Sequence, residues 1–173
     1  MPPLTQPVDV IMERIPLQSR WASERWQAAG VEIALPAGAT RPRDTVPGTI
    51  PCEPAGENHW RCHGLEIELH RTEAEGYFMN LTAPDPRVFV LWRMFDDGRQ
   101  PAARPVLLTV SYNEAGRLMD SGEQVDGVPM IPAIAEWMRA FVAVHYKPEP
   151  RRKPRRDDAP AGDAGERDRG APR

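Results

Sequence analysis

Apolar and polar residues alternate with a period of two over much of the chain, the spacing that turns one face of a strand to a core and the other to water. Leu65, Ile67 and Leu69 alternate with Glu66, Glu68 and His70. Tyr77, Met79 and Leu81 alternate with Phe78 and Asn80 just downstream, and the intervening Thr72, Glu73 and Gly76 predict a hairpin. Residues 88–95, Val-Phe-Val-Leu-Trp-Arg-Met-Phe, are apolar on both faces apart from Arg93, as in a central strand. Val106, Leu108, Val110 and Tyr112 form a further alternating set, and Trp26 to Leu35 a less regular one. Val8 to Ile15 adds an edge strand ended by Pro16. Short connections between such strands predict an antiparallel sheet of five to seven strands, curled or partly closed into a barrel so that its apolar faces are covered.

Helical spacing comes late. Asn113 is placed to cap a short helix through about Asp120, stopped by Gly122. A clearer helix starts at Pro132, whose missing N–H costs nothing in the first turn. Ile134, Trp137, Met138, Phe141, Val144 and His145 then form one apolar stripe, ended by Lys147-Pro148. Strands first and helices afterwards predict an α+β fold, with the C-terminal amphipathic helix capping the sheet.

Proline sharpens these limits, because it is excluded from helix interiors and central strands. Twenty of the 173 residues are proline, roughly twice the usual share of about 5%. They leave open windows at 17–35, 55–83, 87–100, 106–128 and 133–147. The expected organisation is a flexible N-terminus at 1–7, one globular domain at 8–146 and a charged tail at 147–173. Within the domain, 36–56 is a long proline-rich insertion. Beyond Tyr146 there is no large apolar residue, so disorder is expected there.

Charge follows the same division. Residues 1–146 carry 13 basic and 19 acidic side chains, and residues 147–173 carry 9 and 6. The composition excludes a membrane span, a collagen-like repeat and a disulfide-rich scaffold. The N-terminus Met-Pro-Pro-Leu-Thr-Gln-Pro lacks the basic and apolar regions of a secretory signal. A cytoplasmic location with reduced cysteines is therefore expected.

Chemistry is harder to find. The chain has no G-x-x-x-x-G-K-[ST] loop, no G-x-S-x-G elbow, no H-E-x-x-H and no C-x-x-C. Cys52, His59, Cys62 and His63 are ligand types suited to zinc or iron. On a strand over 60–69, however, Cys62 and His63 point to opposite faces and cannot share an ion without a bulge. A buried Cys62, solvated histidines and no cofactor are expected. The alternatives are a metal site and a redox-sensitive Cys52–Cys62 pair. Asp96-Asp97 before Gly98 reads as turn chemistry, and Asp120, Glu123 and Asp126 as a solvated loop. Core packing accounts for most of the tryptophans. Trp21 and Trp26, close to Arg20 and Arg25 at an element boundary, are candidate interface anchors as well. The run Arg151-Arg152-Lys153-Pro154-Arg155-Arg156 is a second candidate contact. With Asp157 and Asp158 following at once and no aromatic residues beside it to stack bases, it reads first as a solubilising or intramolecularly paired tail, next as a protein-docking segment and least as a nucleic-acid site.

Several segments in order carry a family resemblance. They are Arg20-Trp21 with Trp26, Tyr77-Phe78-Met79-Asn80-Leu81, Pro86-Arg87-Val88-Phe89-Val90, Ser111-Tyr112-Asn113-Glu114-Ala115, Val125-Asp126-Gly127-Val128-Pro129-Met130 and Trp137 to Tyr146 with its basic tail. Across residues 8–156 the chain resembles a proteobacterial family catalogued only as a domain of unknown function. Members of that family tend to lie in gene clusters for molybdenum-dependent formate dehydrogenase, and some are labelled molybdopterin-guanine dinucleotide biosynthesis protein. The resemblance implies an accessory role in molybdoenzyme assembly and supplies no catalytic residue. The residues do not favour nucleotide transfer, because the first 29 contain no glycine for a phosphate loop. The expectation is a non-catalytic, cytoplasmic, protein-binding accessory module. The alternative is a small-molecule or metal-handling protein, of which an enzyme of molybdenum cofactor biosynthesis is one form, using the Cys52–His63 region.

Overall fold

The first alternating stretches fold as a long hairpin of β1 (Thr5–Pro16) and β2 (Glu24–Ile33) in a computed structural model that describes residues 4–34 and 46–150. β1 turns Val8, Val10 and Met12 inward, where each is fully buried. β4 (His59–Glu68) pairs with the other edge of β1, and the short β3 (Cys52–Pro54) pairs with β4. A 3₁₀ turn at Arg71–Glu73 leads into α1 (Ala74–Thr82). There follow β5 (Arg87–Met94), β6 (Ala103–Thr109), α2 (Tyr112–Asp120), β7 (Gln124–Pro129) and α3 (Pro132–His145).

The α+β class is as expected, but the sheet is not a single curled one. Four strands in the order β2-β1-β4-β3 make one antiparallel sheet, and three in the order β6-β5-β7 make a second. The sheets meet along two seams, β2 beside β7 and β4 beside β6, without a shared ladder. The ladders within each sheet are themselves bulged. An extra residue interrupts the β1–β2, β1–β4 and β5–β6 ladders, and each such insertion adds twist and disturbs pairing locally.

Tyr77–Leu81 is helical rather than the second strand of a hairpin. A short apolar run fits either period. The arbiter is Asn80, which is fully buried. Its amide donates to the carbonyls of Arg87 and Val110 at 2.7 and 2.8 Å and its oxygen accepts the Arg87 N–H at 3.0 Å. On a helix, Ala74, Tyr77 and Asn80 share the face that meets this acceptor set. α2 is capped by Ser111 and not by Asn113, and residues 124–129 are a strand where a solvated loop was expected. α3 begins at Pro132 as predicted and buries Ile134, Met138 and Phe141, though Val144 faces solvent and Val142 is buried in its place.

The described part of the proline-rich segment is tied into the fold. Ile50 is 3% exposed, and the carbonyl of Gly48 accepts from Arg104 at 3.0 Å. Arg104 is fully buried, and its guanidinium also reaches the Pro101 and Arg99 carbonyls and both Asp97 oxygens. The Arg104 hydrogen bonds, with that of the Arg99 N–H, hold the Asp97 carboxyl well below the usual carboxylate range. Asp97 thus serves both the predicted turn, through the Arg99 N–H, and a buried cation. No helix among the described residues is long and apolar enough to cross a membrane. Expectations for residues 1–3, 35–45 and 151–173 lie outside the described residues.

Candidate functional site

The candidate metal ligands are brought near one another, but each is already engaged. Cys52 on β3 lies opposite Cys62 on β4 with Cα atoms 4.1 Å apart, and the two form a disulfide. The pair is a non-hydrogen-bonded one, the closer of the two antiparallel spacings, because His63 N–H donates to Pro51 on the next rung. Cys62 is fully buried, whereas Cys52 is half-buried at the margin of the core. The bulge that a shared site would need does exist. His63 and Gly64 together face Asp9, with Gly64 at φ +83°, a conformation open to glycine. Its effect is to switch the inward positions from Cys62 to Leu65 and Ile67, leaving His63 outside.

There the His63 ring bridges two carboxylates, with Nδ1 3.0 Å from Asp9 and Nε2 3.0 Å from Glu53. Burial opposes the charged ring, but the hydrogen bonds and charges of Glu53 and Asp9 outweigh it and raise the His63 pKa above its ordinary 6.5. His59 stands apart, against the Glu57 carbonyl at 2.7 Å and 3.7 Å from Glu13. No group of three or more His, Cys, Asp or Glu among the described residues is arranged to hold a metal ion.

A second cluster escaped the reading from sequence. Ser111 is fully buried and caps α2 by accepting the Glu114 N–H at 3.2 Å, while its hydroxyl donates to Glu73 at 2.6 Å. Arg117 donates to the other Glu73 oxygen at 2.6 Å. Burial would raise the Glu73 pKa, yet these two donors and the nearby positive charge bring it below the ordinary value. Glu114 accepts from Thr109 at 2.5 Å. The S-x-x-E spacing from Ser111 to Glu114, the signature of a helix start, is the signal that could have found it. Beside this cluster, along the β4/β6 seam, lies an open cleft of about 390 Å³ lined by Glu66, Glu68, His70, Leu107 and Glu114.

The other seam is closed by Asp126. Its Oδ2 accepts the Ala28 N–H of β2 at 2.9 Å and the Trp92 indole N–H of β5 at 2.7 Å. Glu123 pairs with Arg93 at 2.5 Å. The expected solvated acidic loop is therefore divided: Asp120 ends α2 and is exposed, Glu123 pairs with Arg93 just before β7, and Asp126 on β7 holds the seam.

The two interface tryptophans separate. Trp26 is buried and packs on Trp60 with ring centroids 5.2 Å apart. Trp21 is 93% exposed, in the β1–β2 connection, with Arg20 and Arg25 exposed nearby. Arg151, Arg152, Lys153, Arg155 and Arg156 lie outside the described residues.

Residues 7–155 match the family described as "Protein of unknown function (DUF3305)". The chain belongs to the DUF3305 family. No curated protein and no solved structure matches it. The match runs from within β1 past the end of α3, so both sheets and all three described helices are parts of this DUF3305 domain. Two of the segments that carried the resemblance now have physical roles. Ser111 to Ala115 builds the α2 cap, and Val125 to Met130 builds β7 and places the seam carboxylate.

Proposed function

We propose that this DUF3305 domain is a non-catalytic accessory module that binds another protein through the β1–β2 loop. The carrying observation is Trp21, a large aromatic side chain left 93% exposed on a loop whose backbone is already organised. Leu17 N–H donates to the Ser23 carbonyl at 2.9 Å and closes the loop, and Trp21 N–H donates to Ser19 Oγ at 3.2 Å. Tryptophan and arginine are among the side chains enriched at the residues that dominate binding energy. Holding the loop in shape beforehand lowers the ordering cost of docking. The partner surface this suits is an apolar pocket with carboxylates at its rim, which meet Arg20 and Arg25.

The family resemblance suggests the client, a molybdenum-dependent formate dehydrogenase or one of its assembly factors. The basic run from Arg151 to Arg156 adds a second, electrostatic contact to the same partner. The test is co-purification with the full-length tagged chain from cells grown with molybdate and formate, run beside Trp21→Ala. The wild-type chain is expected to retain a specific partner and the variant to lose it. The variant's stability should stay within about 0.5 kcal/mol, as for a surface substitution. Recovery of no specific partner, or undiminished recovery with Trp21→Ala, would overturn the proposal.

A further inference from the structure

We infer that the Cys52–Cys62 disulfide is a site of thiol–disulfide exchange that opens at Cys52 and, when reduced, releases β3 from the edge of β4. The observations are exposure and topology. Cys62 is fully buried, so an incoming thiolate has no approach to its sulfur, whereas Cys52 is only half-buried on the outermost strand of its sheet. β3 is three residues long, pairs with β4 alone, and has the disulfide at its first rung. So short a strand at a sheet edge contributes little stability by itself.

The residues just before β3 are held from the opposite direction. Arg104 and Arg99 donate to the Gly48 carbonyl at 3.0 and 3.5 Å, Arg99 also reaches the Ile50 carbonyl at 3.5 Å, and Ile50 is buried. Opening the disulfide therefore leaves Gly48–Ile50 in place and frees Cys52–Pro54. Two things follow in the fold. The Glu53 carboxylate leaves His63, and Trp60 to Cys62 become an unpaired strand edge, the kind of edge that accepts another chain.

The co-reactant is a dithiol reductant of the thioredoxin type. Its thiolate forms a bond to Cys52 Sγ as the Cys52–Cys62 bond breaks, and the bonding pair leaves on the Cys62 sulfur. The reductant's second thiolate then attacks its own sulfur in the mixed disulfide, closing the reductant's disulfide and expelling Cys52 as thiolate. Two electrons pass from the dithiol to the protein, and the two protons it gives up balance those taken by the two cysteines.

The experiment uses the full chain purified without reductant. A brief exposure to cysteamine, an acid quench and peptide mapping locate the first adduct, which is expected on Cys52. Hydrogen exchange then compares the oxidised chain, the chain reduced by thioredoxin, and the Cys52→Ser/Cys62→Ser variant. The reduced chain and the variant should both lose protection at residues 52–54 and 60–62 and keep it in β1, β5 and α3. Any of four results overturns the inference: free thiols in the chain as purified, an adduct on Cys62, identical exchange in both redox states, or loss of protection throughout. None of these readouts depends on Trp21 or on a partner, so this inference and the binding proposal fail separately.

Discussion

Replacing Asp126 tests whether a single carboxylate joins the two sheets. One oxygen, Oδ2, accepts both the Ala28 N–H at 2.9 Å and the Trp92 indole N–H at 2.7 Å. Trp92 and Ala28 are each 7% exposed, so neither donor readily recovers water when its acceptor is removed. A hydrogen bond to a charged acceptor contributes about 1.5–3 kcal/mol, and two of them at the lower end give about 3 kcal/mol for Asp126→Ala. Asp126→Asn keeps an acceptor of the same shape but loses the charge assistance, roughly half the strength, and should cost about 1.5 kcal/mol. For a domain of this size those losses lower Tm by about 9 and 5 °C respectively, at roughly 3 °C per kcal/mol. Urea denaturation followed by tryptophan fluorescence measures both, and a native-state change in Trp92 emission should accompany Asp126→Ala before unfolding begins. A loss below about 1 kcal/mol for Asp126→Ala, or equal losses for the two variants, would refute the clamp.

Substitutions at three other positions test further contacts. Arg104→Leu is expected to cost about 2–3 kcal/mol, mainly the Pro101 and Arg99 carbonyls left without their donor at roughly 1 kcal/mol each, with the Gly48 carbonyl reduced to its longer contact with Arg99. Arg104→Lys should be intermediate, because an ammonium has three donors and no planar fork, and denaturation midpoints that match wild type would contradict this. His63 makes stability depend on pH. Its pKa is raised in the folded state, so its contribution is complete below about 6.5 and disappears as pH rises through the folded value. The gap between wild type and His63→Gln should accordingly be widest near pH 6 and narrow toward pH 9; a gap that grows with pH would reverse the assignment. Gly76→Ala should destabilise even though alanine favours a helix by up to about 1 kcal/mol. A Cβ there overlaps the Ser111 hydroxyl, and a stabilised variant would show that α1 and Ser111 are not in close contact.

What the sequence disclosed depended on whether the deciding interaction was local. α3 was legible because its start lies in Pro132 and its face in residues three and four apart, all within one helix. β5 was legible because a strand covered on both faces shows its burial in its own composition. Asp126 was not, since its partners lie 98 and 34 residues away and an acidic run looks the same whether solvated or clamped. Tyr77–Leu81 was misread for the same reason: the helix is chosen by Asn80, whose carbonyl partner Val110 is 30 residues off. The cysteines, expected to be reduced, are joined in a disulfide, because their pairing is decided by the β3–β4 register and the inward turn of Cys62, neither of which spacing reveals.

The same locality argument bears on where function resides. The two segments that most clearly marked the family both sit where the sheets meet. Val125 to Met130 carries the carboxylate that closes the β2/β7 seam. Ser111 to Ala115 carries the cap beside the β4/β6 seam, with Glu114 in the wall of its cleft and Ser111 holding Glu73 from the 3₁₀ turn before α1. Two sheets without a shared ladder need such side-chain contacts to fix their relative placement, because backbone pairing does not do it. These two segments are thus explained by fold specification. Trp21 has the opposite character: it is 93% exposed, is not part of the core among the described residues, and sits on a loop closed by the Leu17–Ser23 backbone hydrogen bond.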